Sequence, residues 1–338
     1  MSTTSKEIHL ASRPNGMPTK ENFKLAEVEV PALADGQVLI RNHWMSVDPY
    51  MRGRMMDVQS YVPPFQIGEV LSGGAIGEVV ESKNPDVKVG TWLQHMNGWR
   101  EFAVSDGLFD QVIDPNIAPP QAFLGVLGMP GLTAYAGLLR VGELKDGDEV
   151  FVTAASGAVG SVVAQIAKAK GHHVAGSAGS DDKCKWLEDV AGIDKAINYK
   201  NYGSQGELEA AMAEACPRGI DVYFENVGGD HLVSALNLMN TFGRMPLCGM
   251  ISRYNDTAPQ PGPWNLIMAV GKSLKLQGFI VTNHLDIAED FMRDVPAWIK
   301  DGKIKWEETV FEGVENAPDA FMGLFSGANF GKMLVKLS

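Results

Sequence analysis

The feature that most restricts this fold is a β-rich run, Glu149-Val150-Phe151-Val152, running into a turn of small residues, Thr153-Ala154-Ala155-Ser156-Gly157-Ala158-Val159-Gly160. The turn opens directly into a helical pattern in which Val159, Val162, Val163 and Ile166 share one face. A helix begun in this way aims its unsatisfied N–H groups and positive dipole end at whatever lies over the turn. Gly157 lets a ligand approach the backbone, and Gly160 lets the helix pack closely on the sheet, as a dinucleotide pyrophosphate site requires. The usual fingerprint has glycine at three positions; here the first is Ala154, giving A-x-x-G-x-x-G. A purely structural βα turn reads similarly. The strand before, the helix after and a second strand-like run at 173–178 favour the cofactor site.

The same alternation continues. Strand-like runs at 149–155, 173–178, 195–199, 220–225, 244–248 and 274–281 are separated by helical stretches through Trp186 and Leu187, through Leu208 and Met212, and over 231–239. Six such runs with crossovers predict an α/β, doubly wound parallel sheet of the Rossmann type. A further helix over 288–300 is expected to be interrupted at Pro296. Before residue 125 the texture is β-rich: 24–30, 36–42 and a glycine-studded stretch over 68–81 read as short, bent strands of a partly open barrel. The apolar stretch 123–139 is broken by Gly125, Gly128, Pro130 and Gly131, so it reads as a buried loop and helix and not as a membrane span.

With 338 residues the chain has room for two domains. Its net charge of −12 argues against nucleic acid or an anionic membrane surface as the main partner. Cys184, Cys216 and Cys248 form no CxxC pair, which points to reduced thiols in a cytoplasmic protein. Met1 to Glu7 has no apolar core, so no signal peptide is expected.

Ligands of an open parallel sheet sit beyond the carboxyl ends of its strands. The second strand ends in Gly179-Ser180-Asp181-Asp182-Lys183. Lys183 suits the 2′-phosphate of NADPH. Asp181 or Asp182 suits a free ribose hydroxyl instead, and Ser180 or Asp181 as a plain helix cap is a third reading. The fourth strand ends in Glu225-Asn226-Val227-Gly228-Gly229, where Asn226 either contacts ribose or nicotinamide or caps a tight turn. The fifth runs into Cys248-Gly249-Met250-Ile251-Ser252-Arg253-Tyr254-Asn255. The Tyr254 hydroxyl there either stabilises an oxyanion or belongs to an ordinary loop. No metal is expected. The segment Ser46 to Gly53 has no cysteine, the histidine that a zinc enzyme would carry near Gly68-Glu69 is missing, and His43 and His95 stand alone.

Several longer motifs add up: Leu10-Ala11-Ser12-Arg13-Pro14, Asp48-Pro49-Tyr50-Met51-Arg52-Gly53-Arg54-Met55, 127–135, 157–160, 225–229, Tyr254-Asn255 and Asn329-Phe330-Gly331-Lys332. On these the chain resembles, over nearly its whole length, the zinc-independent medium-chain dehydrogenase/reductases of the prostaglandin reductase/leukotriene hydroxydehydrogenase group, in particular the bacterial curcumin reductase branch. The resemblance implies a GroES-like partly open β-barrel domain over 1–124 and 303–338, with a Rossmann domain over 125–302. It implies NADPH, with Gly157, Ala158, Val159 and Gly160 at the pyrophosphate, Lys183 and Tyr199 at the adenosine phosphate, and Asn226 at the nicotinamide ribose. Cys248, Tyr254, Phe279, Ile280, Val281 and Asn329 would complete the cofactor site. It implies reduction of a C=C bond conjugated to a carbonyl, Tyr254 stabilising the enolate and Tyr50 and Tyr61 facing the substrate from the barrel side, and it suggests a homodimer. The rival readings are an NADPH quinone oxidoreductase and a non-catalytic NADPH-binding regulatory protein.

Overall fold

A computed structural model describes residues 3–108 and 110–337. The chain divides into two compact units. The first runs to Gly125 and takes in Glu308–Asn329 and the residues from Met333 onward; the second comprises Val126–Glu307 and Phe330–Lys332. The expected boundary at 303 thus moves to 308. The physical reason is that Gln165 holds 305 at both its amide and its carbonyl, 2.8 Å each, while Glu307 accepts from the Trp186 indole at 3.2 Å.

The first unit opens with β1 (Thr4–Leu10) and β2 (Phe23–Glu29), an antiparallel pair. β1 has no counterpart among the runs expected from sequence. Then come β3 (Val38–Ser46), the short helix α1 (Met51–Arg54), β4 (Ala75–Ser82), β5 (Trp92–His95), β6 (Phe102–Ser105) and β7 (Gln111–Val112). Only 75–82 of the expected 68–81 run is strand. The preceding residues make isolated bridges, His9 with Val70 and Gly73 with Asn97, because the chain must bend there to pack Gly73 against Met51.

In the second unit the apolar stretch after residue 125 becomes α2 (Met129–Tyr135), continued by a wider turn over Ala136–Val141. β8 (Glu149–Val152), α3 (Gly160–Ala169), β9 (His173–Ala178), α4 (Asp181–Asp189), β10 (Lys195–Asn198), α5 (Gln205–Ala215) and β11 (Ile220–Phe224) follow. Next are α6 (Asp230–Leu238), β12 (Met239–Leu247), α7 (Met268–Gly271), β13 (Lys275–Gly278) and α8 (Ala288–Lys300). The chain ends with β14 (Glu308–Glu312), α9 (Ala317–Ser326) and β15 (Lys332–Lys336). Several expectations change. β8 stops at Val152 where strand was expected to 155, and β12 begins at Met239 where it was expected from 244. β13 stops at Gly278, and Val281 begins a 3-10 turn. α8 runs through Pro296 without a break.

The second unit's six strands are parallel and ordered β10-β9-β8-β11-β12-β13. β8 is buried at all four residues, as a central parallel strand covered on both faces must be. The order reverses between β8 and β11, so their carboxyl ends border the crevice of a doubly wound sheet. In the first unit β15 pairs with β3 at Trp44–Ser46 while β6 pairs with the other half of that same strand, so the carboxyl-terminal strand completes the sheet. At its core Phe23 stacks on Trp99, and Phe321 meets both rings edge-on.

Beneath the second sheet, buried Arg244 on β12 donates to the carbonyls of Gly142 and Glu143, 3.0 and 3.1 Å away, and to the Asp148 carboxylate. Removing one partner of such a pair strands a charge away from water. Asp148→Asn is therefore expected to lower unfolding free energy by about 3 kcal/mol, read by urea denaturation; an unchanged midpoint would refute that role.

Candidate functional site

The turn after β8 starts with an unusual backbone. Ala154 has φ +47, the left-handed region in which the fingerprint's glycine normally sits. The alanine is held there by its neighbours: its carbonyl accepts the Gly157 amide at 2.9 Å, and the Ala155 amide reaches Ser177 O at 2.9 Å. A side chain at Gly160 would meet that Ala154 carbonyl at 2.3 Å, so only glycine lets α3 start this close to the strand. Val162, Val163 and Ile166 are buried as expected, whereas Val159 is half-buried. No side chain caps α3, while Ser180 caps α4 and Ser204 caps α5. The Gly157 amide is spent on Ala154 O and the Ser161, Val162 and Val163 amides on Gly157 O and Val159 O, so what the turn can offer an anion is the amides of Ala158, Val159 and Gly160. The tail segment closes one side of the turn: Gly331 N donates to Ser156 O at 2.9 Å, and Phe330 packs edge-on against Trp186. Asn329 lies immediately before Phe330 in the chain.

Across the reversal point a buried polar network ties the ends of β8 and β11. The Glu225 carboxylate, with no exposed surface, accepts from the amides of Val227 and Gly228 at 2.7 and 2.9 Å. Thr153 and Tyr223 hydroxyls lie 3.1 and 2.9 Å from it. Asn226 donates its amide to the Thr153 hydroxyl at 2.8 Å and its side-chain NH2 to the Thr153 carbonyl at 2.7 Å. This fixes the Asn226 side chain against the glycine turn's first residue. Gly228 and Gly229, with φ +77 and +60, turn the chain back over the sheet.

The loop after β12 hangs from the same strand end. Cys248 and Gly249 amides donate to Glu225 O at 3.0 and 3.1 Å, and Ile251 and Ser252 amides to Asn226 O and Val227 O. The half-buried Tyr254 hydroxyl lies over Gly249, 2.9 Å from where a side chain there would begin. Burial, with the Glu225 carboxylate adding to it, pushes the Cys248 thiol up to about 12, so it is no thiolate nucleophile at neutral pH. Beyond β13, Phe279 is buried edge-on against Phe224, and Ile280 and Val281 begin the next turn.

At the β9 tip Ser180 caps α4, accepting the Lys183 amide at 3.4 Å. Asp181 accepts the Asn198 NH2 at 2.7 Å on one of its oxygens. Burial and neighbouring Lys200 lower the Lys183 pKa. Above Gly179 the Tyr199 hydroxyl and Lys200 crowd at 3.3 and 3.4 Å from a would-be side chain. Tyr199 and Lys200 beside Gly179, with Lys183 near enough to feel the Lys200 charge, are groups that could hold a phosphate. Lys200, Thr153 and Glu225 were missed from sequence. The available signal for Glu225 was a carboxylate ending an apolar strand just before paired glycines.

In the first unit, Tyr50 directly precedes α1 and is packed against the core, and Tyr61 stands in the following loop, largely exposed. Burial, with Asp48 adding to it, raises the Tyr50 phenol above its ordinary range. Among the described residues no three His, Cys, Asp or Glu side chains converge as a metal site. His95 is spent on Asn42 and Asn97, and its burial lowers its pKa to about 3.

These two units, one β-rich and one a doubly wound nucleotide-binding sheet, define a medium-chain dehydrogenase/reductase. Residues 6–113 match the N-terminal domain of oxidoreductase, and residues 158–297 match the model described as zinc-binding dehydrogenase, although the residues present do not fit a zinc ion. The NADPH-dependent curcumin reductase of Escherichia coli is 43% identical, covering 97% of this chain and 96% of its own. Bovine (Bos taurus) prostaglandin reductase 1 is 44% identical, covering 95% of each. The NADP(+)-dependent 2-alkenal reductase of Nicotiana tabacum is 39% identical, covering 99% and 98%. The crystal structure of CurA from Vibrio vulnificus in complex with NADPH superposes with a TM-score of 0.93 at 43% identity, covering 98% and 99%. The chain belongs to the zinc-independent medium-chain reductases that include the curcumin and prostaglandin reductases.

The buried Glu225 carboxyl gives the site a pH signature. Burial raises its pKa above 4.5, against the pull of its hydrogen bonds. A raised carboxyl pKa contributes stability that is full below the unfolded value and is lost as pH climbs through the folded value. Glu225→Gln keeps the acceptor oxygen without the charge. Its stability relative to wild type is expected to rise as pH increases from about 4.5, measured by denaturation at pH 4.5 to 8. A difference independent of pH would rule this out.

Proposed function

We propose that this protein reduces the C=C bond of α,β-unsaturated ketones and aldehydes with NADPH. The observation that carries this reading is the Tyr254 hydroxyl held over Gly249, at the reversal point of a sheet whose first turn suits a pyrophosphate. The names of the relatives, a curcumin reductase and a 2-alkenal reductase, support the substrate class.

The chain's residues fit the cofactor. The uncapped start of α3 takes the pyrophosphate at Gly157, Ala158, Val159 and Gly160. Lys183, Tyr199 and Lys200 take the adenosine 2′-phosphate. Asn226, locked to Thr153, meets the nicotinamide ribose. Cys248, Tyr254, Phe279, Ile280, Val281 and Asn329 complete the site. Bound NADPH supplies the hydride that adds to the substrate's β-carbon. As negative charge gathers on the carbonyl oxygen, the Tyr254 hydroxyl donates to it, the part a metal plays in a zinc enzyme. The α-carbon then takes a proton from water or a tyrosine, and Tyr50 and Tyr61 face the substrate. Orientation carries much of the rate.

The test is NADPH oxidation with an enone panel and identification of the product. The saturated ketone is expected, and Tyr254→Phe should lower kcat at least tenfold with NADPH affinity near normal. Turnover confined to quinones would favour the quinone oxidoreductase reading. NADPH binding without turnover of enones or quinones would favour a regulatory protein.

We also propose a cytoplasmic homodimer. Three free thiols suit a reducing compartment. The outer edge of the sheet ends in β13, and nearby Trp264, Ile267, Val270 and Phe242 are each at least 70% exposed. Phe242 keeps a left-handed φ of +64 there. So much open apolar surface beside an edge strand favours a second copy. Trp264→Glu with Ile267→Glu should shift sedimentation from dimer to monomer; a wild-type monomer would refute the proposal. No helix among the described residues is long and apolar enough to cross a membrane.

A further inference from the structure

We infer that Arg54 is a positioning residue that locks the Tyr61 loop onto the Tyr50 helix, so that the two tyrosines act as one substrate-facing unit; the substrate-facing part rests on the proposed function. Tyr50 and Arg54 are four residues apart around the single turn of α1, the spacing at which helical side chains meet. The Arg54 guanidinium is close enough to Tyr50 to act on its phenol electrostatically. Residues 56–64 form neither helix nor strand, so nothing in regular secondary structure fixes Tyr61.

Arg54 supplies that hold from both backbone and side chain. Its carbonyl accepts the Phe65 amide at 2.7 Å. Its Nε donates to the Pro63 carbonyl at 2.9 Å, and its Nη1 to the Ser72 hydroxyl at 3.0 Å. The guanidinium lies over the Phe65 ring, 4.0 Å from its centroid. One planar group therefore touches both ends of the Pro63–Phe65 stretch and the Ser72 segment. Tyr61, two residues before Pro63, is near enough to act electrostatically on both Tyr50 and Arg54. The geometry demands a fork. Lysine offers three donors from one point, and it cannot reach Pro63 and Ser72 while lying flat on Phe65.

The fold has a neighbouring arginine with a different task. Arg52 is buried and donates to the Gly16 carbonyl at 2.9 Å, bracing α1 against the amino-terminal segment. Arg54 faces the other way, toward the loop that carries a tyrosine. Its role is thus the relative placement of two hydroxyls and not the stability of the helix.

The experiment uses full-length Arg54→Met, Arg54→Lys and Ser72→Ala. Hydrogen exchange over 56–66 is read first, because it needs no substrate. Arg54→Met should speed exchange of the Phe65 amide at least tenfold while the strands of the same sheet keep wild-type protection. With an enone, KM should rise at least tenfold, kcat should fall less, and the NADPH dissociation constant should stay within twofold. Arg54→Lys should resemble Arg54→Met, and Ser72→Ala should show a smaller change in the same direction. In a Tyr50→Phe, Tyr61→Phe background, Arg54→Met should change KM less than twofold further. Unchanged exchange over 56–66, full rescue by lysine, or equal damage to NADPH binding would each overturn the inference. Should Arg54→Met fail to fold, Ser72→Ala carries the same exchange test. A wild-type enzyme inert toward every enone would defeat the enone reading, while the exchange result would still decide whether Arg54 holds the loop.

Discussion

The second unit's site depends on one buried carboxylate. Glu225 lies where two strands part, and every group that faces it is a donor: two backbone amides and two hydroxyls. A buried charge so placed is tolerable only when its hydrogen bonds are complete. Completing them forces the chain to turn at Gly228 and Gly229, brings Thr153 to the end of β11, and leaves the Glu225 carbonyl to hold Cys248 and Gly249. The glycine turn, the Asn226 turn and the Tyr254 loop are thus three consequences of satisfying one group.

That arrangement explains how a site can tolerate an incomplete glycine pattern. Alanine in the left-handed region costs roughly 1 kcal/mol. Ala154 is kept there because its carbonyl is bonded to Gly157 and because Gly160 lets α3 pack directly over it. The strict requirement falls on Gly160, where any side chain meets backbone, and less on the first position of the fingerprint.

The central strands β8 and β11 were legible because each is a short, mostly apolar run, and a central parallel strand has no polar face to blur the pattern. The glycine turn, Lys183, Asn226 and Tyr254 were singled out because each follows the end of a strand-like run. The contact of Asp181 with Asn198, on the next strand, had no local signal. β1 was missed because its charged pair, Lys6-Glu7, leaves only Ile8 and Leu10 as apolar residues, and because it pairs with β2 and bridges to Val70 and Arg100 far along the chain. The 68–74 stretch misled for the opposite reason: β-branched residues and glycines suggest strand, but the packing of Gly73 on Met51 bends it out of any ladder.

By itself the sequence determined the alternation of strands and helices in the second unit, the turn that suits a pyrophosphate and the residues at each strand end, because periodicity and small-residue turns are local properties. Tertiary structure decided how those ends are used. It joined Thr153 to Asn226 across 73 positions of sequence, brought Tyr199 and Lys200 to Gly179 with Lys183 close to Lys200, and returned Phe330–Lys332 to the glycine turn. These are hydrogen bonds and contacts between segments distant in sequence, and no local pattern encodes which buried donor will meet which acceptor.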